Sequence, residues 1–237
     1  MPSTSELADW CRLTGASAEE MQELVDLVQH ILDTANQATS WRILHRLGLT
    51  EKQREIAELE RSAHTIHVFQ PVMVPGLLQI AEYARRTMSM GYIVGTSDIA
   101  QAVAARMERQ SILYDTGKSF EFVITEGALR WWPGPADLMR AQLDRLVSVA
   151  SMPNVKLSIV PFGEAPMPFL HPFVIFHLEA EALVTVETYG LELQVREEAD
   201  LERYRHVWQV LREAALEDPS ELLRGIIAGQ RPGLERE

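Results

Sequence analysis

Glu126, Arg130 and the pair Trp131-Trp132 place a carboxylate, a guanidinium and two indoles close together in the chain. They follow a predicted strand, and polar and aromatic groups at a strand end are the groups that a site for an organic ligand uses. The alternative is a local ion pair between Glu126 and Arg130, one helical turn apart, over a hydrophobic turn. Spacing by itself favours the ion pair, and all four residues remain candidate ligand-binding residues.

Glu126, Glu187 and His171 are candidates for acid–base catalysis. A cofactor-independent reaction needs only a positioned titratable group in a dry pocket. Glu187 lies inside a predicted strand, where an outward-facing carboxylate is more common than a buried acid. His171 is also a candidate ligand-binding residue. It ends the loop GEAPMPFL, whose two prolines, methionine and phenylalanine could form either a lid over a pocket or an ordinary packed loop.

Glu60, His64 and His67 follow the spacing i, i+4 and i+7, which on a helix would present two imidazoles and a carboxylate to a divalent metal. The alternative is a polar helix end in which Glu60 contacts His64. No further ligand accompanies the three residues, so we predict no metal site. His171 and His177 share one face of a predicted strand but lie roughly 20 Å apart, which is too far to share an ion.

Motifs of common catalytic sites are missing from the sequence. It contains no Gly-rich phosphate loop, no GxSxG and no HExxH. We therefore predict that the chain uses no cofactor.

The composition is that of an ordinary globular protein of 237 residues with a formal net charge of −12. DNA binding relies on Lys and Arg to neutralise phosphates, so we expect no direct sequence-specific DNA binding by this chain. Cys11 is the only cysteine, which excludes an intrachain disulfide. No membrane-spanning run or signal peptide is evident, and we expect a cytoplasmic protein.

Helices are predicted for most of the first half of the chain. Ser17 and Glu20 form a capping-box pattern before a helix with Leu24, Leu27 and Val28 on its apolar stripe. A further helix is predicted across residues 51–69.

The segment VPGLLQIAEYARRTM, residues 74–88, predicts a turn that opens an amphipathic helix. Gln79, Tyr83 and Arg86 then form a polar stripe at i, i+4 and i+7. Arg109 lies on one side of the next predicted helix. Gln79, Tyr83 and Arg109 are therefore further candidate ligand-binding residues.

The periodicity changes at Ser119, where FEFVITEGAL reads as a strand. A helix in which Leu138, Leu143, Leu146 and Val147 face inward separates it from the strand NVKLSIVPF, which predicts a β-α-β crossover. Three more strands and two closing helices follow. The predicted fold class is α+β, an N-terminal helical bundle packed on a mixed four- to five-stranded sheet with flanking and C-terminal helices.

Several blocks, in the right order and spacing, resemble a large actinobacterial family of antitoxin-like transcriptional regulators: VPGLLQIAEYARR, RMERQSIL, TEGALRW, LMRAQLDRLVSVASMPNVKLSIVPF and VTVETYGLEL. The resemblance runs from about Glu55 to Ile227. It implies an XRE-type helix-turn-helix followed by a long domain first catalogued as of unknown function. It also implies DNA binding through the N-terminal module, a small partner protein, and a downstream domain that senses a ligand or partner.

The chain departs from this family at its N-terminus, where only PSTSELADWCRLTG resembles the last helix of the DNA-binding module. The predicted regions are a remnant of that helix at 1–15, a helical region at 16–115, an α+β region at 116–230 and a tail at 231–237. The loop GEAPMPFLHPF also replaces a Gly-His element of the family, which indicates a reshaped pocket.

The sequence therefore predicts a regulatory domain that binds a small molecule or a small partner protein, without its own DNA reader and with homodimerisation left open. The alternative is a stand-alone cofactor-independent cyclase, isomerase or lyase of specialised metabolism. The chain is either a truncated regulator or a stand-alone relative.

Overall fold

The computed structural model describes residues 10–11, 13–91, 98–187 and 191–229. Most of the predicted remnant at 1–15 and the tail at 231–237 lie outside these residues. The chain divides into two compact units, Met1–Thr39 and Ser40–Glu237. The predicted boundary at residue 115 falls inside the second unit.

The smaller unit is built around helix α1, Ala18–Gln37. Its predicted capping box is confirmed, because the Ser17 amide donates to the Glu20 carboxylate (2.7 Å) and the Glu20 amide donates to the Ser17 hydroxyl (3.2 Å). The predicted apolar stripe is wrong at Leu27, which is 53% exposed. A unit of this size has little surface of its own with which to cover that face. The short strand Ala38–Ser40 follows.

Six strands of the larger unit form one mixed sheet. They are β1 (Thr65–Gln70), β2 (Ser119–Thr125), β3 (Val155–Val160), β4 (Phe173–His177), β5 (Ala182–Glu187) and β6 (Leu191–Val195). Their order is β6-β5-β4-β1-β2-β3. The pairs β1–β2 and β2–β3 are parallel, and the other three are antiparallel. The α+β class, the crossover between β2 and β3 and the later hairpins are confirmed.

Strand β1 corrects the prediction of a helix across residues 51–69. Helix α2, Trp41–Ser62, ends before this segment, and the sheet gains a strand beyond the four or five expected. Ile66 and Val68 are buried toward one face of the sheet, and Phe69 toward the other. Alternating β-branched and aromatic residues are typical of a strand that is covered on both faces. Over so short a segment, the apolar positions also match the period of a helix, which is why the sequence predicted one.

The remaining helices are α3 (Ala81–Gly91), α4 (Ile99–Arg109), α5 (Glu126–Arg130), α6 (Ala136–Ala150), α7 (Glu198–Ala214) and α8 (Ser220–Ala228). Two 3-10 turns occupy Gly76–Leu78 and Gln110–Tyr114. In α6, Leu138, Leu143 and Leu146 are buried as predicted, but Val147 is 40% exposed because it falls at the edge of the apolar stripe. No helix in the described ranges is long and apolar enough to cross a membrane.

Two apolar cores cover the two faces of the sheet. Helices α6 and α8 pack on one face, where Leu143, Leu146 and Ile226 meet Phe120 and Phe122. Helix α7 packs on the other face through Leu201, Trp208 and Leu211. Helix α7 therefore covers the strands that border the candidate functional site.

Candidate functional site

The carboxyl ends of the three parallel strands β1, β2 and β3 meet at one edge of the sheet. Strand β4 begins at the same edge, because Phe173 pairs with Phe69 in antiparallel register. The loop from residue 161 to residue 172 therefore runs along this edge. In open sheets with parallel strands, this is the edge where ligands bind.

A cavity of about 400 Å³ lies on the α7 side of the sheet near this edge. Its volume is within the range of small-molecule sites. Its walls come from the end of β1, the start of β4, the end of β6, the loop before β4 and the first four turns of α7. The lining residues are Phe69, Met167, Pro168, Phe169, Leu170, His171, Phe173, Val195, Asp200, Arg203, Tyr204, Val207 and Leu211.

Aromatic rings form much of the cavity wall. The ring of Phe69 lies 5.5 Å from that of Phe169 and 5.5 Å from that of Phe173, measured between centroids. The ring of Tyr204 meets that of Phe173 edge-on at 5.2 Å. These separations and tilted planes are those of favourable aromatic pairs, so the rings hold one another in place around the cavity.

The loop predicted as a possible lid contributes to the cavity. Met167, Pro168, Phe169 and Leu170 all line it, although Leu170 is 84% exposed. The prolines restrict the backbone of this loop, and its apolar side chains give the cavity its outer wall. The sequence hypothesis of a loop that covers a pocket agrees with this placement, while a lid motion stays a prediction.

Of the eight candidate ligand-binding residues, His171 lines this cavity. It does not belong to a strand, as the sequence suggested, because β4 begins at Phe173. Its ring lies 5.9 Å from that of Tyr204. His177 lies at the other end of β4, where its ring lies beside that of His67.

Glu126, Arg130, Trp131 and Trp132 lie at the end of β2 and make local contacts. The Glu126 carboxylate accepts from Arg130 Nε at 2.7 Å and from the Phe162 amide at 2.9 Å. The Trp132 indole donates to the Leu129 carbonyl. Both tryptophans pack against the main core. This arrangement is the local ion pair over a hydrophobic turn that the spacing favoured, and it ties the loop after β3 to α5.

Gln79 and Tyr83 do not form the predicted polar stripe. Gln79 is extended after the 3-10 turn, and α3 begins only at Ala81. Tyr83 is fully buried, and its hydroxyl accepts from the Val74 amide. Burial raises the pKa of Tyr83 to about 12. Both residues therefore hold the turn in place from inside.

Arg109 belongs to a buried polar network that joins helices α2 and α4. Its Nε lies 3.4 Å from a Glu60 carboxylate oxygen, and its Nη1 donates to Gln53 (3.1 Å). Arg106 donates to the same Gln53 oxygen and to Gln79 (2.6 Å). Burial raises the pKa of Glu60 to about 7, although Arg109 and Arg106 act in the opposite direction.

The same network explains the glycine of VPGLLQ. A Cβ at Gly76 would lie 2.8 Å from Arg109 Nη2, which is closer than real contacts allow. The Gln110 side chain also donates to the carbonyls of Gly76 and Gln79. A side chain at this position would therefore displace the guanidinium end of Arg109 within the buried network.

Glu187 is paired with the buried Lys52 of α2. Glu192 of the next strand lies 3.8 Å from the same ammonium group. Burial raises the pKa of Glu192, with Lys52 acting in the opposite direction. Glu187 itself is almost half exposed, in agreement with the outward-facing alternative.

Glu60, His64 and His67 are separated because α2 ends at Ser62. Glu60 enters the arginine network, while His67 stacks on Trp208 at 4.6 Å and lies 4.7 Å from His177 between ring centroids. The prediction that these three residues share one face of a helix is therefore wrong. Within the described ranges, no group of three or more His, Cys, Asp or Glu side chains could hold a metal ion.

His67 makes stability depend on pH. Burial lowers its pKa to about 4, and His177 and Arg212 act in the same direction. An unfolded histidine binds a proton near pH 6.5, so the folded state is favoured above that pH and loses stability as the pH falls from 6.5 through 4. Glu60, whose pKa is raised to about 7, acts in the opposite direction over much of this interval, so the measurement is a difference between variants. We expect the thermal midpoint of His67→Phe, which keeps a ring on Trp208, to rise relative to that of the wild-type chain as the pH falls from 6.5 through 4. His206→Phe, on the exposed side of α7, is the control, and an unchanged slope in His67→Phe would contradict the prediction.

The sequence did not single out Phe69, Phe173, Tyr204 or Val207 as site residues. Tyr204 and Val207 share the apolar stripe of α7 with Leu201 and Leu211, so their periodicity indicated only a buried face. The identifiable signal was the aromatic and proline-rich loop ending in His171.

Residues 53–221 match a family model described as "Domain of unknown function (DUF5753)". No curated protein matches the sequence. Among solved structures, the chain is similar to one titled "Structure of TrmBL2, an archaeal chromatin protein, shows a novel mode of DNA binding." The identity is 10%, the TM-score is 0.37, and the match covers 90% of this chain and 68% of that chain. At this TM-score the similarity supports no inference about function.

Proposed function

This chain belongs to the family described as Domain of unknown function (DUF5753), and we propose that it is a ligand-binding regulatory domain related to antitoxin-like transcriptional regulators. The cavity beneath α7 is its binding site. The observation that carries the proposal is an aromatic cavity of about 400 Å³ that borders the carboxyl edge of the parallel strands.

The chemistry of the lining favours a small organic molecule. Phenylalanine, leucine and valine side chains remove apolar ligand surface from water, and a few polar groups can orient the ligand. The loop that closes the outer side is apolar and exposed at Leu170. A ligand would cover this apolar surface, and it would stabilise the folded state by mass action.

The regulatory part of the proposal comes from the resemblance of the sequence blocks to antitoxin-like regulators. In such a protein, a ligand changes activity by favouring one state of the domain over another. Direct DNA reading is not part of the proposal, because the net charge of −12 opposes contact with phosphates. A small partner protein would supply that contact.

The placement of the three acid–base candidates favours a binding function over a catalytic one. Among the three acid–base candidates, Glu126 is held by Arg130 and the Phe162 amide, and Glu187 by Lys52. Carboxylates held in this way are poorly placed to exchange a proton with a ligand. His171 is the one of the three that lines the cavity.

The test uses 8-anilino-1-naphthalenesulfonate, a fluorescent probe for apolar cavities. We expect it to bind the wild-type chain, and Val207→Trp to weaken binding by about tenfold or more because the indole fills the cavity. Gln209→Trp adds the same indole to the exposed side of the same helix and should leave binding unchanged. Thermal melts establish that each variant is folded. Equal binding by a folded Val207→Trp variant would refute the assignment of the cavity.

A further inference from the structure

Two polar side chains, His171 and Tyr204, interrupt the aromatic wall of the cavity. Their ring centroids are 5.9 Å apart. The cavity is also lined by two charged residues, Asp200 and Arg203. Their opposite charges pair with each other, because Arg203 Nη1 donates to Asp200 Oδ1 at 2.7 Å. The cavity therefore presents hydrogen-bonding groups without a net charge from this pair, which suits a neutral ligand.

The His171 ring has a defined hydrogen-bonding sense. Its Nδ1 lies 3.2 Å from the carbonyl oxygen of Pro172. A carbonyl oxygen can only accept, so the proton of the neutral ring is assigned to Nδ1. The other nitrogen, Nε2, then has a lone pair and is a hydrogen-bond acceptor.

The Tyr204 hydroxyl complements this acceptor. Within the part of the chain that the structure describes, it forms no hydrogen bond. Burial and the nearby Asp200 raise the pKa of Tyr204, which keeps the phenol protonated. A protonated phenol donates one hydrogen bond.

We propose that the cavity binds a neutral, planar aromatic molecule bearing a hydroxyl group, which donates to His171 Nε2 and accepts from the Tyr204 hydroxyl. A hydroxyl oxygen does both from a single atom, whereas an ether or a carbonyl only accepts. Two hydrogen bonds that meet at one hydroxyl oxygen place their outer atoms about 4.5–5 Å apart, a spacing within reach of two side chains whose ring centroids lie 5.9 Å apart. The rings of Phe69, Phe169 and Phe173 are tilted against one another, so together they offer both edges and faces to the aromatic part of the molecule. This inference rests on the proposed binding function.

The experiment compares three probes by calorimetric titration: 2-naphthol, 2-methoxynaphthalene and naphthalene. We expect 2-naphthol to bind about tenfold more tightly than naphthalene, with the methyl ether in between because it can accept but not donate. Tyr204→Phe should lower 2-naphthol affinity about fivefold and leave naphthalene affinity within about twofold. Tyr114→Phe, at an exposed tyrosine, is the matched control.

His171→Phe provides a second variant in case Tyr204→Phe disturbs the packing on Phe173. It should also reduce the preference for 2-naphthol over naphthalene. Equal affinities of the wild-type chain for 2-naphthol and naphthalene would overturn the hydroxyl inference while leaving the cavity assignment intact. Failure of 8-anilino-1-naphthalenesulfonate and all three naphthalenes to bind would overturn both.

Discussion

Replacing Arg109 with methionine is expected to lower the free energy of unfolding by about 3–5 kcal/mol. The substitution keeps much of the length and apolar volume of the side chain but removes the cation 3.4 Å from Glu60. Glu60 is then left with a buried charge that has lost its nearest partner, and Gln53 loses one of its two arginine donors. Urea denaturation at pH 7.5 measures the effect.

The pH dependence of Arg109→Met identifies Glu60 as the cause. A carboxyl whose pKa is raised in the folded state favours folding at low pH and opposes it as the pH rises from about 4.5 through 7. Removal of Arg109 removes an influence that lowers this pKa, so the variant should recover stability on acidification more steeply than the wild-type chain. Glu60→Gln in the same background should restore part of the loss, because it buries a neutral amide.

The matched control is Arg85→Met, at an arginine that is about half exposed and lies 3.5 Å from Glu82. An exposed pair of this kind contributes less than about 1 kcal/mol. If Arg109→Met cost no more than this control, the buried network would not stabilise the fold as argued.

Replacing Gln142 with methionine is expected to cost about 2–4 kcal/mol. Gln142 is fully buried, and its amide accepts from the Ile80 amide (2.9 Å) and donates to the Leu78 carbonyl (2.8 Å). Methionine has similar length but cannot make either bond. Two backbone groups would lose their partners in the interior, since an extended segment after a 3-10 turn has no helical ladder to replace them.

Two measurements check this prediction. Urea denaturation gives the loss of stability, and hydrogen exchange should show faster exchange of the Ile80 amide. Gln209→Met on the exposed side of α7 is the control, where the Gln209 side-chain amide donates to the exposed Glu213 carboxylate. Unchanged protection of Ile80 in Gln142→Met would exclude the proposed role of Gln142.

The VPGLLQ segment is stabilised by buried glutamine side chains. Three glutamines, Gln79, Gln110 and Gln142, hydrogen-bond to the backbone of residues 74–80. The segment is a tightly held turn with a glycine against a buried arginine. Its residues support the fold, and the cavity lies elsewhere, beneath α7.

Local contacts were predictable from the sequence. The Ser17–Glu20 capping box and the Glu126–Arg130 pair join residues within four positions of each other, so their spacing is enough to suggest them. The loop ending in His171 was also identifiable, because its prolines and aromatic residues are adjacent in sequence. Helix and strand types in the second half followed from clear changes of period.

Contacts between distant segments were not predictable in this way. Glu60, His64 and His67 read as one helical face, but α2 ends at Ser62 and β1 begins at Thr65 because that segment pairs with β2 and β4. Such pairing depends on strands that lie about 50 and 110 residues away, and no local pattern contains that information. The same holds for Glu60 and Arg109, which come from different helices.

The sequence by itself determined the α+β class, the negative charge that opposes DNA contact, and the family, because these depend on composition, local period and residue order. Only the tertiary structure decided which candidates line the cavity and which are held within the fold. It placed His171 beside Tyr204 in an aromatic cavity, and it buried Arg109 against Glu60. The physical reason is that a side chain's chemistry depends on the burial and partners that packing brings to it across the chain.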